Sequence, residues 1–267
     1  MNPDRRSWLI RSALGVSATL AASRARADER AQCRSLPPAK PSEVGPGEKF
    51  AVDGKVQRFP GNTILCHVPR PGAAFDALCR ACETLRAEVG SRHLSWLPEA
   101  SYHATIFDCV TDAYRLPGDW PQMLPLDASM EQCNRYLAGR LHDFDLGFAP
   151  PLRFVVDDDV ESCDVATLVP LRPIDAAENR RLRDLRDRLS RATGIRHANH
   201  DGYRFHSSFA YYVRQFTPAE EANYQLARAR MLRRLRKEIA VLELDAPTFC
   251  VFDDMFAFHE QFRLRKT

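Results

Sequence analysis

Two runs of sequence, 103 residues apart, depart from the pattern of a half-buried strand in the same way. In "SYHATIFDCV" and "GYRFHSSFAYY", apolar and aromatic residues alternate with others over a length suited to a β-strand, and no turn former interrupts them. Side chains on a strand alternate between its faces, so Tyr102, Ala104 and Ile106 share one face while His103 and Thr105 share the other. The same parity pairs His206 with Ser208 and leaves Phe205, Ser207 and Phe209 opposite. Each strand is therefore expected to bury one face and to display an imidazole beside a hydroxyl on the other. Arg204 and Tyr212 fall on the His206 face by the same count, where a guanidinium would contact phosphate and a phenol would stack on a base. A solvated strand-end arginine and a core tyrosine are the competing readings.

The two runs sit in similar surroundings. A strand candidate "NTILCHVPR" and a helix over 73–89 precede the first, and a Pro-interrupted loop at 111–125, expected to form part of a lid, follows it. A second helix runs from Ser129 to Leu141. Two Val- and Leu-rich runs, "PLRFVVDDD" and "CDVATLVPL", then lead to a helix that starts near Asp175, places Leu182, Leu185 and Leu189 at helical spacing, and stops at Gly194. After the second motif, Thr217-Pro218 with Glu220 and Glu221 supplies an N-cap, an N1 proline and first-turn acid for a further helix. The strand candidates "IAVLELDAP" and "MFAFHEQFRL" end the chain. Helices interleaved with strand pairs predict an α+β fold with a mainly antiparallel sheet and helices outside, bilobal, with two similar halves each giving one motif strand to a central cleft. No Gly-rich phosphate loop and no G-x-S-x-G occurs.

The H-x-[S/T] pair, "YHATIF" and "FHSSFAY", resembles the signature of the two-histidine (2H) phosphoesterase superfamily of 2′,3′-cyclic nucleotide phosphodiesterases and 2′-5′ RNA ligase-like proteins. The segment "GIRHANHDGYRFHSSFAYY" looks like an uncharacterised bacterial branch of it. The resemblance implies His103, Thr105, His206 and Ser208 as the catalytic set, a nucleotide or RNA-end phosphodiester as substrate, and neither metal nor cofactor. One imidazole would take a proton from water while the other gives one to the departing sugar oxygen, and the hydroxyls would hold the phosphoryl oxygens. Which histidine is the base stays open. The alternative is a non-catalytic protein of the same fold that binds a nucleotide or phosphorylated ligand.

The remaining chemistry-bearing residues have simpler explanations. His197 and His200, in "RHANHD", have no partner at a recognisable ligand spacing and read as loop residues. His67 and His259 read as structural. The arginine-rich "LARARMLRRLRKEI" reads as a solvated helix face, and Asp157-Asp158-Asp159 as the end of a strand. Cys79 and Cys82 lie within a helix, and most of the eight cysteines read as buried thiols.

Residues 1–27 combine a basic start with Arg5-Arg6, a short apolar stretch from Ala13 to Ala22 and the small-residue pattern Ala25-Arg26-Ala27. This predicts a twin-arginine-type signal peptide and a periplasmic mature protein. The full chain has 38 Lys+Arg against 35 Asp+Glu, but five arginines and one aspartate lie in that segment, leaving 33 against 34. The mature charge does not predict a stable nucleic-acid complex. A linker or extended arm is expected over 28–49 and one domain over 50–267, no further long apolar run suggests a membrane span, and a monomer is expected.

Overall fold

The computed structural model describes residues 41–158 and 168–266; the signal-like residues 1–27, Cys33, Asp159 and Cys163 lie outside them. The elements are β1 (Gly61–His67), α1 (Ala73–Val89), β2 (Leu94–Trp96), β3 (His103–Thr111), α2 (Met130–Leu141), β4 (Leu152–Val156), β5 (Leu168–Pro173), α3 (Ala176–Thr193), β6 (His206–Ser208), β7 (Ala210–Tyr212), α4 (Pro218–Glu238), β8 (Leu242–Leu244), β9 (Thr248–Asp254) and β10 (Ala257–Arg263). The architecture is α+β with antiparallel strand pairing.

Helix boundaries follow from local chemistry. Ser129 caps α2 and Thr217 caps α4, each in a reciprocal capping box, with Gln132 and Glu220 respectively at N3. Asp175 accepts the Glu178 N–H to open α3, and Gly194, at φ +72°, closes it in the left-handed conformation. Leu182, Leu185 and Leu189 of α3 are fully buried, each stabilising the fold by about 1.5–3 kcal/mol relative to exposure. The helix candidates of the sequence all form; β9 and the short β2 are strands that its patterning did not reveal.

Two four-stranded sheets organise the molecule, in the orders β10-β9-β1-β3 and β6-β5-β4-β8. The two similar halves are thus not separate lobes of consecutive sequence. The first sheet takes β1 and β3 from the N-terminal half and β9 and β10 from the C-terminus, while β8 returns to pair with β4. The motif strands β3 and β6 are the edge strands of their sheets and lie side by side. A cleft opens where these edges meet, and the pair β2–β7 borders it.

The loop over 111–125, expected to form part of a lid, lends Tyr114 and Asp119 to the cleft wall and is anchored at Trp120. Trp120 is buried, donates its indole N–H to the Pro125 carbonyl at 3.1 Å and lies under the Arg115 guanidinium at 4.5 Å. Arg115 also bonds the Leu126 and Ala128 carbonyls. The six cysteines among the described residues, Cys66, Cys79, Cys82, Cys109, Cys133 and Cys250, are free thiols.

Candidate active site

His103, Thr105, His206 and Ser208 all line one cleft of about 770 Å³. The two histidines are held by the same device. His103 Nδ1 lies 2.6 Å from the Ser101 carbonyl and His206 Nδ1 lies 2.9 Å from the Arg204 carbonyl, each two residues back along the chain. A carbonyl only accepts, so each Nδ1 carries the proton and donates it, leaving Nε2 as the basic nitrogen.

Arg204 contributes that carbonyl and not its charge. Its side chain is exposed and is absent from the cleft wall, which corrects the expectation of a phosphate-binding guanidinium. The strand does not extend far enough back to aim it, since β6 starts at His206. Tyr212 does line the cleft, but its hydroxyl accepts the Phe216 N–H at 2.8 Å and its ring stacks on Phe216 at 5.4 Å.

Both motif strands lose their alternation just after the hydroxyl residue. In β3 the register against β1 shifts between Ile64 and Leu65, whose partners are Phe107 and Thr105. Ile106 and Phe107 are consequently both buried, and Asp108, which simple parity puts in the core, reaches the cleft. A bulge re-aims side chains in this manner. On the other strand, Phe209 separates β6 from β7, Phe209 and Ala210 are both buried, and Tyr211 joins the cleft wall. Asp108 and Tyr211 were therefore hidden from a reading by alternation.

The electrostatics of the pair are unequal. The His103 ring packs edge-on against Phe258 at 4.4 Å and neighbours its cross-strand partner His67 at 6.5 Å. Burial, assisted by repulsion from His67 and His206, depresses its pKa to about 4 against the bonded Ser101 carbonyl, which raises it. His67 is lowered too, chiefly by burial.

Other walls come from segments without a motif. Tyr203 is buried, lies 6.2 Å from the His206 ring and points its hydroxyl to the Thr105 carbonyl at 3.5 Å. Glu43 and Lys49, from the expected arm, also line the cleft; Lys49 pairs with Glu43 and sits 4.8 Å over the Tyr211 ring. His197 lines the wall as well, with Nδ1 2.7 Å from Asp119 and Nε2 3.1 Å from the Asp108 and Cys109 carbonyls. His200 faces Asp187 at 3.0 Å, and together with Asp201 these form a group of metal-type ligands outside the cleft wall. Their counter-charge is the Arg196 guanidinium, 3.2 Å from Asp187 and 2.6 Å from Asp201.

Comparison with known proteins finds two resemblances. A crystal structure of a conserved protein of unknown function from Agrobacterium tumefaciens, ATU0111, superposes with a TM-score of 0.76 at 26% identity, covering 84% of this chain and 93% of that one. No curated protein matches the chain. The family model "2H-phosphodiest: Domain of unknown function (DUF1868)" matches residues 49–163, which contain His103 and Thr105. Over those residues the chain is similar to this 2H-phosphodiesterase-like family.

Proposed function

We propose that the protein is a metal-independent phosphoesterase that opens a cyclic phosphodiester, of a 2′,3′-cyclic nucleotide or RNA end, or cleaves a 2′-5′ linkage. The observation that carries this reading is the matched tethering of His103 and His206 through Nδ1, with both residues and the hydroxyls of Thr105 and Ser208 on one cleft. Two imidazoles with basic Nε2 atoms suit a reaction that needs one proton removed and one delivered.

His103 fits the base, because its apolar shell keeps it neutral at physiological pH. It takes a proton from the attacking water as the new P–O bond forms. His206 gives a proton to the departing sugar oxygen as the old P–O bond breaks. Exchange with solvent then restores both rings. A base held near 4 is weak, and the anionic phosphodiester beside it favours its protonated form, bringing it closer to the working range. Thr105 and Ser208 would donate to the non-bridging oxygens, where charge grows. The export expected from residues 1–27 would place such a substrate in the periplasm.

The test is turnover of 2′,3′-cyclic mononucleotides with and without EDTA, beside His103→Ala and His206→Ala. Activity should survive chelation and fall by about two to four orders of magnitude in each variant. Full activity without either histidine would reject the reading. Tight nucleotide binding with no turnover by the wild type would favour the non-catalytic alternative.

A further inference from the structure

Arg186 on α3 is an unusual residue to find beneath a cleft. It is 1% exposed, and among the described residues no carboxylate lies within 4 Å of its guanidinium. One terminal nitrogen donates to the Ile106 carbonyl at 2.6 Å, while Nε and the other terminal nitrogen are buried without a hydrogen-bond partner. A buried cation left uncompensated is costly to the fold and is seldom kept for stability alone.

Its contacts lead to both motifs. Ile106 follows Thr105 on β3. The guanidinium carbon lies 3.8 Å from the centre of the Tyr203 ring, whose own neighbours in the cleft are Thr105 and the His206 imidazole. Tyr203 thus separates a fixed positive charge from the cleft in which an anion would sit. Burial makes the Tyr203 hydroxyl a poor acid, so it remains a neutral donor there.

We propose that Arg186 is an electrostatic positioning residue, whose unpaired charge acts through the Tyr203 ring to favour a phosphate-type anion between His103 and His206. The inference rests on the phosphodiester reading of that cleft. The charged and titratable groups facing Arg186 are Asp108 of β3, Arg183 and Asp187 of α3, and Tyr203; those facing His103 are His67 and His206. Asp187 already serves His200 and Arg196. A low-dielectric surrounding with so little compensation leaves the Arg186 field to reach the cleft.

The experiment compares Arg186→Met and Arg186→Lys with the wild type, using inorganic phosphate as ligand and NMR titration of the imidazoles. Arg186→Met should weaken phosphate binding about tenfold and move the imidazole titration upward, because a nearby positive charge opposes protonation. Arg186→Lys should stay within about threefold of the wild type. A merely structural residue would not move the titration, so unchanged binding and titration in Arg186→Met would overturn the proposal, as would an equal loss in Arg186→Lys. Should Arg186→Met not fold, the wild type supplies the same decision. Its Arg186 Nε–H resonance should shift as phosphate is added, and an unmoved resonance would refute the idea. Phosphate and imidazole readouts that depend on Arg186 in a protein that turns over no cyclic nucleotide would sink the enzymatic reading and leave this inference standing. Full turnover with no Arg186 dependence would do the reverse.

Discussion

At the scale of single residues, His103 links the chemistry of the cleft to the stability of the fold. Its ring is enclosed by Phe258 and lies near His67, and its folded pKa is about 4 against an ordinary 6.5. The unfolded chain therefore binds the extra proton between those values, so stability is fully present above about 6.5 and is lost as pH falls toward 4. Urea unfolding at pH 7.5 and pH 5 should show the wild type losing on the order of 1–2 kcal/mol more than His103→Gln. An equal loss in both proteins would show that the ring is not held neutral by the fold. The histidines and hydroxyls themselves were legible because two matched motifs, at the same strand parity, are hard to arrange by core packing alone. Arg204 was misread because only its carbonyl, a group present at every position, is used.

Among the elements, β1 carries the tightest steric demand. A Cβ at Gly61 would lie 2.4 Å from the Phe252 ring and 2.5 Å from the Val110 carbonyl, because β1 is flanked by β9 and β3 at that point. A carbonyl in a paired strand cannot step aside, so Gly61→Ala should cost about 1–3 kcal/mol in chemical denaturation. Gly139, inside α2 with open space where its Cβ would be, is the control: Gly139→Ala should be neutral or stabilise by up to about 1 kcal/mol. If the two substitutions behave alike, the close approach at Gly61 is not what that glycine serves. Helices were read well because their signals are local: caps, an N1 proline and a terminal glycine lie within one turn of the boundary they set. The bulge in β3 and the break at Phe209 were not legible, since each depends on how a strand meets its partner.

For the whole molecule, strand exchange between the sheets governs cooperativity. β9 and β10 come from the end of the chain yet complete the sheet that holds His103, and α1 of the first half packs on α4 of the second. The sheet that holds His103 cannot be completed by a continuous half of the sequence. Thermal unfolding should accordingly be one transition, with far-UV and near-UV circular dichroism coinciding. A chain ended at residue 247 leaves β1 without its β9 partner and should show no cooperative melt. Two resolved transitions in the full chain, or a cooperative melt in the shortened one, would contradict this.

What the sequence determined by itself is whatever a few neighbouring residues can encode. Periodicity set the helices and most strands, capping chemistry set the helix ends, and parity set the pairing of each histidine with its hydroxyl. The tertiary structure decided the rest. Asp108 and Tyr211 enter the cleft through breaks in strand phase, Lys49 reaches it from the preceding arm, and Tyr203 lies over the buried Arg186. The physical reason is the same in each case: these positions are fixed by contacts between segments far apart in the chain, and a contact of that kind leaves no period in either segment.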